Sequence, residues 1–320
     1  MIKRIAVATT GGDAPGMNAA IRAVVRYAIH RKVEVMGVFR GWWGFINDEM
    51  KLLDRRSVSN TINQGGTILK TARCPQFFTP QGQERVYETI RKNNIDGLIL
   101  IGGNGTFTGA HALYEKYKIP CVGVPGSIDN DINGIDVTFG SDTAINTALN
   151  AIDNIRDTAT SLERIFIVEV MGRDSGYIAL QVALAGGCED VIIPEQPFDL
   201  NKMCHRIVEG NIRGKVSWII VLAEGVARAE DIAKQITDIT SLETRSVVLG
   251  HIQRGGRPTA ASRILATTLG EAAVESLLNN ETDKAVSIKD GLIVTIEFAQ
   301  AIKKKEWEVQ KLYNLIQVIT

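Results

Sequence analysis

The chain has 320 residues with 36 basic and 36 acidic side chains, so its formal net charge is zero. That balance excludes a general nucleic-acid binder or a membrane-surface protein, while leaving room for local basic patches. A hydrophobic content of 45% with 22% charged residues is ordinary for a globular protein, and the length suits two lobes. Cys74, Cys121, Cys188 and Cys204 form no C-x-x-C pair and read as reduced thiols of a cytoplasmic protein. No apolar run is long enough to span a membrane, and the first residues lead straight into Gly11-Gly12-Asp13, which reads as a first strand and not a signal peptide.

In chain order, short β-branched runs alternate with helical patterns. Ile5 to Thr9 is expected as a strand, Gly16 to Arg31 as a helix and Val33 to Phe39 as a strand. Val58 to Asn63 looks helical and leads into Gly65-Gly66-Thr67. Gln81 to Asn93 reads as an amphipathic helix, Gly97 to Ile101 as a buried strand, Thr106 to Lys118 as a helix and Ile119 to Val124 as a strand. One long helix follows, Asp142 to Ser161, then a strand from Ile165 to Val170. Helices are expected at Ala179 to Ala185, Leu200 to Ile212, Ala229 to Ile239 and Pro258 to Leu278. Strands fall between them at Val191 to Pro194, Ser217 to Ala223 and Thr244 to Leu249. The tail holds a strand, Gly291 to Ile296, and a last helix. Such alternation implies an α/β fold, with mainly parallel sheets flanked by helices on both faces.

The chemistry is expected at Gly123-Val-Pro-Gly-Ser-Ile-Asp-Asn-Asp131, where Asp129 and Asp131 follow a buried strand. Paired acids just past a strand end suit metal-phosphate binding and proton abstraction; alone, the nonapeptide reads equally as an acidic surface turn. Two glycine loops weigh for the first reading. Thr9-Thr10-Gly11-Gly12-Asp13 and Ile101-Gly102-Gly103-Asn104-Gly105-Thr106 both join a strand to a helix, where glycines let the backbone approach a phosphate and the helix start adds positive potential. Neither is a dinucleotide fingerprint, because Thr108 stands where the last glycine belongs. Gly210 to Lys215 has the wrong spacing for a P-loop and ends at Val216. Arg73, Arg164, Arg173, Arg245 and Arg254 fall in loops or at element ends, where guanidinium forks bind phosphate oxygens in pairs; each alone reads as a surface charge.

Taken together, the motifs TTGGDAPGMNAAIR (9–22), GGTIL (65–69), TARCP (71–75), GGNGT (102–106), PGSIDNDI (125–132), IRDTATS (155–161), VMGR (170–173), AEGV (223–226), ETR (243–245), LGH (249–251) and QRGG (253–256) resemble the bacterial ATP-dependent 6-phosphofructokinases over nearly the whole chain. The resemblance implies two Rossmann-like lobes with the active site in the cleft between them. The ATP lobe is expected over 1–140 plus about 252–302, and the sugar-phosphate lobe over 141–251 plus about 303–320. It implies transfer of the ATP γ-phosphoryl group to the 1-hydroxyl of fructose 6-phosphate, with Mg2+. Asp129 is then the general base, assisted by Ser127, Arg73 and Arg173. ATP lies against Gly12, Arg73, Cys74, Gly103, Asn104, Gly105, Thr106 and Gly109. The sugar phosphate is held by Ser127, Ile128, Asp129, Met171, Gly172, Arg173, Glu224, His251 and Arg254, with Arg164 and Arg245 reaching over from a neighbour in a homotetramer. An effector site for ADP or phosphoenolpyruvate is implied at Arg22, Arg26, Arg55, Arg156, Glu189, Arg213 and Lys215, while Asn60, Val216 and Ser217 depart from its pattern.

Pyrophosphate-dependent relatives carry Asp and Lys where this chain has Gly105 and Gly126, so the resemblance favours ATP as donor. Asn104 stands where the family usually has the Asp that helps hold magnesium. It keeps an oxygen and loses a charge, which leaves open a catalytically weak, nucleotide-binding regulatory subunit as an alternative. Another hexose phosphate, such as tagatose 6-phosphate, is a further alternative acceptor. Trp42 replaces a usual Tyr and is expected to stack near the adenine.

Overall fold

The computed structural model describes residues 2–319. The chain divides into two compact units, Met1–Thr143 with Arg254–Glu306, and Ala144–Gln253 with Trp307–Thr320. The elements run β1 (Arg4–Thr9), α1 (Met17–His30), β2 (Glu34–Val38), α2 (Trp42–Ile46), β3 (Met50–Leu53), α3 (Pro80–Lys92), β4 (Gly97–Gly102), α4 (Asn104–Tyr117), β5 (Cys121–Ser127), β6 (Phe139–Gly140) and α5 (Ser141–Leu162). There follow β7 (Ile165–Val170), α6 (Tyr177–Ala185), β8 (Asp190–Ile192), α7 (Leu200–Ile212), β9 (Trp218–Ala223), α8 (Ala229–Thr240), β10 (Thr244–Val248), α9 (Ala260–Leu278), β11 (Lys284–Lys289), β12 (Leu292–Glu297), α10 (Phe298–Ala301) and α11 (Val309–Ile319).

In the first unit the sheet order is β12-β11-β5-β4-β1-β2-β3, with β6 beside β5. Its interior strands pair in parallel, and β3 and β12 close the two edges antiparallel. β4 is buried along its whole length, which is why Gly97–Gly102 reads as an unbroken apolar run and not as an alternating one. The core beside it contains Phe45, Phe77, Phe107, Leu98, Leu100 and Phe298. Thr79 caps α3, its hydroxyl accepting from Gly82 N at 3.1 Å, with Pro80 at the first helical position. In the second unit β10-β7-β9-β8 form a wholly parallel sheet, with Ile167, Ile220, Leu222, Met203, Ile207 and Ile236 in its core.

Three local expectations change. Residues 58–63 are turns and not a helix. Thr61 Oγ1 donates to Val58 O at 3.0 Å, Ser57 N donates to Asp54 Oδ1 at 2.7 Å, and Asn60 sits at φ 57°. Short polar side chains there satisfy backbone groups locally and compete with helix. Met50–Leu53 and Lys284–Lys289 are strands that the apolar pattern hid, because both lie near sheet edges and carry lysines. The second forms a hairpin with β12 through Asp290 and Gly291, at φ 51° and 79°, the left-handed pair that a two-residue hairpin turn requires.

Candidate active site: two loop-bearing sheet edges

In the first unit, the ends of β1, β4 and β5 lie side by side and deliver three loops to one carboxyl edge. Two buried threonines lock the first two loops together. Thr10 Oγ1 donates to Thr106 Oγ1 at 2.6 Å, and Thr106 Oγ1 lies 3.2 Å from Thr10 O. Thr71 Oγ1 donates to Gly11 O at 2.6 Å, and Asn18 ties the 64–68 stretch to α1 through Gln64 O and Ile68 N. Gly11 needs its φ of 81°. A Cβ on Gly12 would stand 2.5 Å from Arg254 Nη1, and that guanidinium also donates to Asp13 O at 2.9 Å. Arg254 thus belongs to the first glycine loop, while His251, three residues earlier, is exposed and belongs to the second unit.

α4 starts at Asn104, so its first turn, with Gly105 exposed and Thr106 buried, meets the loop edge. Asn104 Nδ2 donates to Asp131 Oδ2 at 2.9 Å and lies 3.2 Å from Asp131 O. This fixes the amide: a carboxylate accepts only, so Nδ2 must face Asp131. The other amide atom, Oδ1, is buried with no hydrogen-bond partner among the described residues. A buried carbonyl oxygen beside a carboxylate is a donor set that fits a hard cation such as Mg2+.

Ser127 ends β5, and its hydroxyl accepts from Asp129 N at 3.2 Å. Asp129 is 5% exposed and Ile128 is fully buried. Next to it Asn130 takes φ 49°, with Oδ1 accepting from Thr138 N at 2.9 Å and Nδ2 donating to Asp136 O at 3.0 Å. Arg73 is exposed, and Cys74 is buried at the start of a short turn of 3-10 helix. Trp42, expected to stack near an adenine, is itself 5% exposed and stacks on Phe77, ring centroids 4.0 Å apart. Gly109 makes that stack fit, since a Cβ there would stand 2.8 Å from Phe77 and 2.9 Å from Trp42.

In the second unit, β7 ends in Met171-Gly172-Arg173 and β9 ends at Ala223, next to Glu224. Glu224 Oε1 accepts from Arg173 N at 3.0 Å and lies 3.3 Å from Gly172 N. Gly172 at φ 148° and Arg173 at φ 53° make a sharp turn that leaves Arg173 exposed just past the strand end. Met171 N donates to Gln253 Oε1 at 2.8 Å; Gln253, fully buried, ties that strand end to the turn carrying His251. Gln253 was missed from sequence although it lies inside a quoted motif, because only burial distinguishes a positioning amide from a surface one. Arg164 and Arg245 lie at the opposite edge of the same sheet, at the amino ends of β7 and β10. Both pair with Glu243, Arg164 at 2.8 Å, and the Arg164 contact is the first cause of the lowered Glu243 pKa. The six residues of β7, at about 3.3 Å each, put roughly 20 Å between the two edges. One chain therefore does not bring Arg164 and Arg245 to the Arg173 edge.

Of the implied effector residues, Arg156, Glu189 and Lys215 come together in the second unit. Arg156 Nη1 and Lys215 Nζ lie 3.9 and 3.4 Å from Glu189 Oε1. Arg213 is exposed and pairs with Glu209 at 3.9 Å. In the first unit Arg22 and Arg26 share one face of α1, and Arg55 is exposed. Burial, then Arg26, lowers the Arg22 pKa, and Arg26 Nε is buried with no hydrogen-bond partner among the described residues. The four cysteines are free and buried, and burial raises the Cys188 thiol to about 12. Among the described residues no helix is long and apolar enough to cross a membrane.

A sheet edge of this kind, with two glycine loops, a helix start and paired polar acids, defines an α/β protein that handles phosphorylated ligands. The comparisons are narrower. The family model described as Phosphofructokinase matches residues 4–277, and the chain belongs to that family. It is 49% identical over 319 residues to the ATP-dependent 6-phosphofructokinase of Clostridium acetobutylicum and 48% identical to that of Clostridium botulinum, each match covering 100% of both chains. Among solved structures it is similar to phosphofructokinase from Saccharomyces cerevisiae, with TM-score 0.89 and 33% identity over 94% of this chain and 45% of the yeast chain. It also shares the fold of a pyrophosphate-dependent phosphofructokinase from Marinobacter aquaeolei, with TM-score 0.86 and 22% identity over 99% of this chain and 91% of the other.

Proposed function

We infer that the chain is an ATP-dependent 6-phosphofructokinase, a glycolytic kinase that transfers the γ-phosphoryl group of ATP to the 1-hydroxyl of fructose 6-phosphate. The observation that carries this reading beyond the full-length similarity is the first unit's loop edge, where Asn104 Oδ1, Asp131 and the start of α4 lie together beside Ser127 and Asp129. Asp129 takes the hydroxyl proton. Gly103 and Gly105 leave space for the nucleotide at the start of α4, and Gly12, Cys74, Thr106 and Gly109 complete its surroundings. Arg73 and Arg173 offset charge on the moving phosphoryl group. Met171, Gly172, Glu224, His251 and Arg254 hold the sugar phosphate together with Ser127 and Ile128. The split of Arg164 and Arg245 from the Arg173 edge supports a second subunit supplying them, hence a homo-oligomer, with a tetramer as the family's form. Arg22 and Arg26, a like-charged pair with a buried orphan donor, suit an anionic effector such as ADP or phosphoenolpyruvate, with Arg55, Arg156, Glu189, Arg213 and Lys215 as its other contacts.

Mg2+ would be held by Asn104 Oδ1 and Asp131 together with the ATP phosphates, and when bound it supplies neutralisation of phosphate charge. Asn104 does something Asp could not: it donates to Asp131. Asn104→Asp would set two carboxylates at hydrogen-bond distance. In EDTA at neutral pH it is expected to lower Tm by several degrees, about 1–2 kcal/mol, and millimolar Mg2+ is expected to recover the loss. A Tm indifferent to Mg2+ in the variant would remove the metal from this pair. The function itself is tested by fructose 1,6-bisphosphate formation from the purified chain, with ATP or pyrophosphate as donor. Turnover confined to ATP is the expected result; none with either donor sinks the reading.

A further inference from the structure

We infer that Lys305 is a positioning residue of the phosphoryl-transfer site, acting through the loop that carries Asp129; this rests on the function proposed above. The residue is 175 positions from the loop it holds. Its ammonium donates to Asn130 O at 3.0 Å and Ile135 O at 2.6 Å, and lies 3.5 Å from Asp136 O. A lysine has three donors, and here all three point at carbonyls of one loop. The grip is at both ends, so it closes residues 130–136 into a fixed turn. Asn130, at φ 49°, follows Asp129, and its carbonyl lies in the next peptide, between Asn130 and Asp131; holding that plane fixes the chain immediately past Asp129 and so limits the directions its side chain takes.

Lys305 belongs to a longer strap. Ile132 forms an antiparallel bridge with Lys304, Asn133 N donates to Ala301 O at 3.2 Å, and Asn133 Nδ2 donates to Gln300 O at 3.1 Å. Those contacts hold the middle of the loop from outside. Lys305 reaches the Asn130 carbonyl, one residue past Asp129. The site is a costly place for an ammonium: burial drives its pKa down to about 8, with Asp136 and Asp131 pulling the other way. An apolar side chain of the same length would fill the space but leave these carbonyls without their donor. Three carbonyls converging on one amine instead define a direction, and direction is what a general base requires, since small misplacements of a catalytic group cost up to about 100-fold in rate.

The test is Lys305→Met, which keeps the length and removes the donors. Wild type and Asp129→Ser run beside it, with ATP, fructose 6-phosphate and Mg2+. The expected result is a kcat lowered by about 10- to 100-fold with both KM values within about twofold of wild type. Lys305→Ala is expected to lose kcat similarly and to regain several-fold activity with propylammonium but not with tetramethylammonium, which has no N–H to donate. Should Lys305→Met fail to fold, the amine rescue in Lys305→Ala decides. A kcat within twofold of wild type overturns the inference, as does a loss of Tm with unchanged kcat or an absence of amine rescue. No turnover by wild type overturns the proposed function and this inference together. Turnover by wild type that Lys305→Met leaves intact overturns this inference only.

Discussion

Asp129→Ser is expected to lower kcat by about 10²–10⁴ while leaving both substrate KM values near wild type. The carboxyl is 5% exposed and follows Ser127, whose hydroxyl receives the Asp129 N–H, so the segment is held by backbone contacts that the substitution leaves in place. The neighbouring turn is fixed independently: Asn130 bonds Thr138 N and Asp136 O, and Thr138 Oγ1 donates to Ser127 O at 2.6 Å. The substitution removes the proton acceptor and leaves those backbone contacts in place, and a loss confined to the transition state appears in kcat and not in KM. Steady-state rates at saturating ATP and fructose 6-phosphate check this, and survival of kcat within a factor of ten would show that another group takes the proton.

Gly105→Asp is expected to weaken ATP use by roughly 100-fold without harm to the fold. A Cβ on Gly105 meets nothing within 4 Å, and the residue is exposed in the first turn of α4, where a carboxylate favours the helix dipole. Tm should hold or rise slightly. A carboxylate about 5 Å from a phosphate, at an effective dielectric near 20, costs on the order of 3 kcal/mol per charge, so the ATP KM should rise by roughly 100-fold. Gly126→Lys, the companion change in pyrophosphate-dependent relatives, behaves oppositely. Its Cβ would stand 2.5 Å from Phe139 Cζ and 2.7 Å from Cε2, in a ring that is 1% exposed. Overpacking of this kind costs about 1–3 kcal/mol, so that variant should melt earlier. Thermal melts with ATP titrations separate the two, and an unchanged ATP KM in Gly105→Asp would place the phosphates away from the start of α4.

The two glycine loops, the Asp129 loop and the Met171 to Arg173 turn were legible from sequence because each combines local signals. An apolar run buries a strand, glycine permits the following turn, and an acid or arginine stands at the strand end. The elements that sequence missed lack such a local signature. Leu52 is 53% exposed in β3, and β11, next to the other edge, carries a lysine at each end, so neither strand shows the apolar run of a fully buried one. Residues 58–63 misled because apolar spacing does not register side chains that bond their own backbone.

By itself the sequence determined the fold class, the order of most elements and the residue types at the carboxyl edges, since periodicity and turn chemistry are set within a few residues. What only the tertiary structure decided are relations between residues far apart in the chain. The Asn104 amide turns toward Asp131, leaving a bare buried oxygen. Trp42 stacks on Phe77 over Gly109. Arg164 and Arg245 gather on Glu243, at the sheet edge away from Arg173. Lys305 closes the Asp129 loop from 175 residues away. Hydrogen bonds and packing depend on distance in space, and proximity between distant segments is fixed only when the whole sheet has assembled.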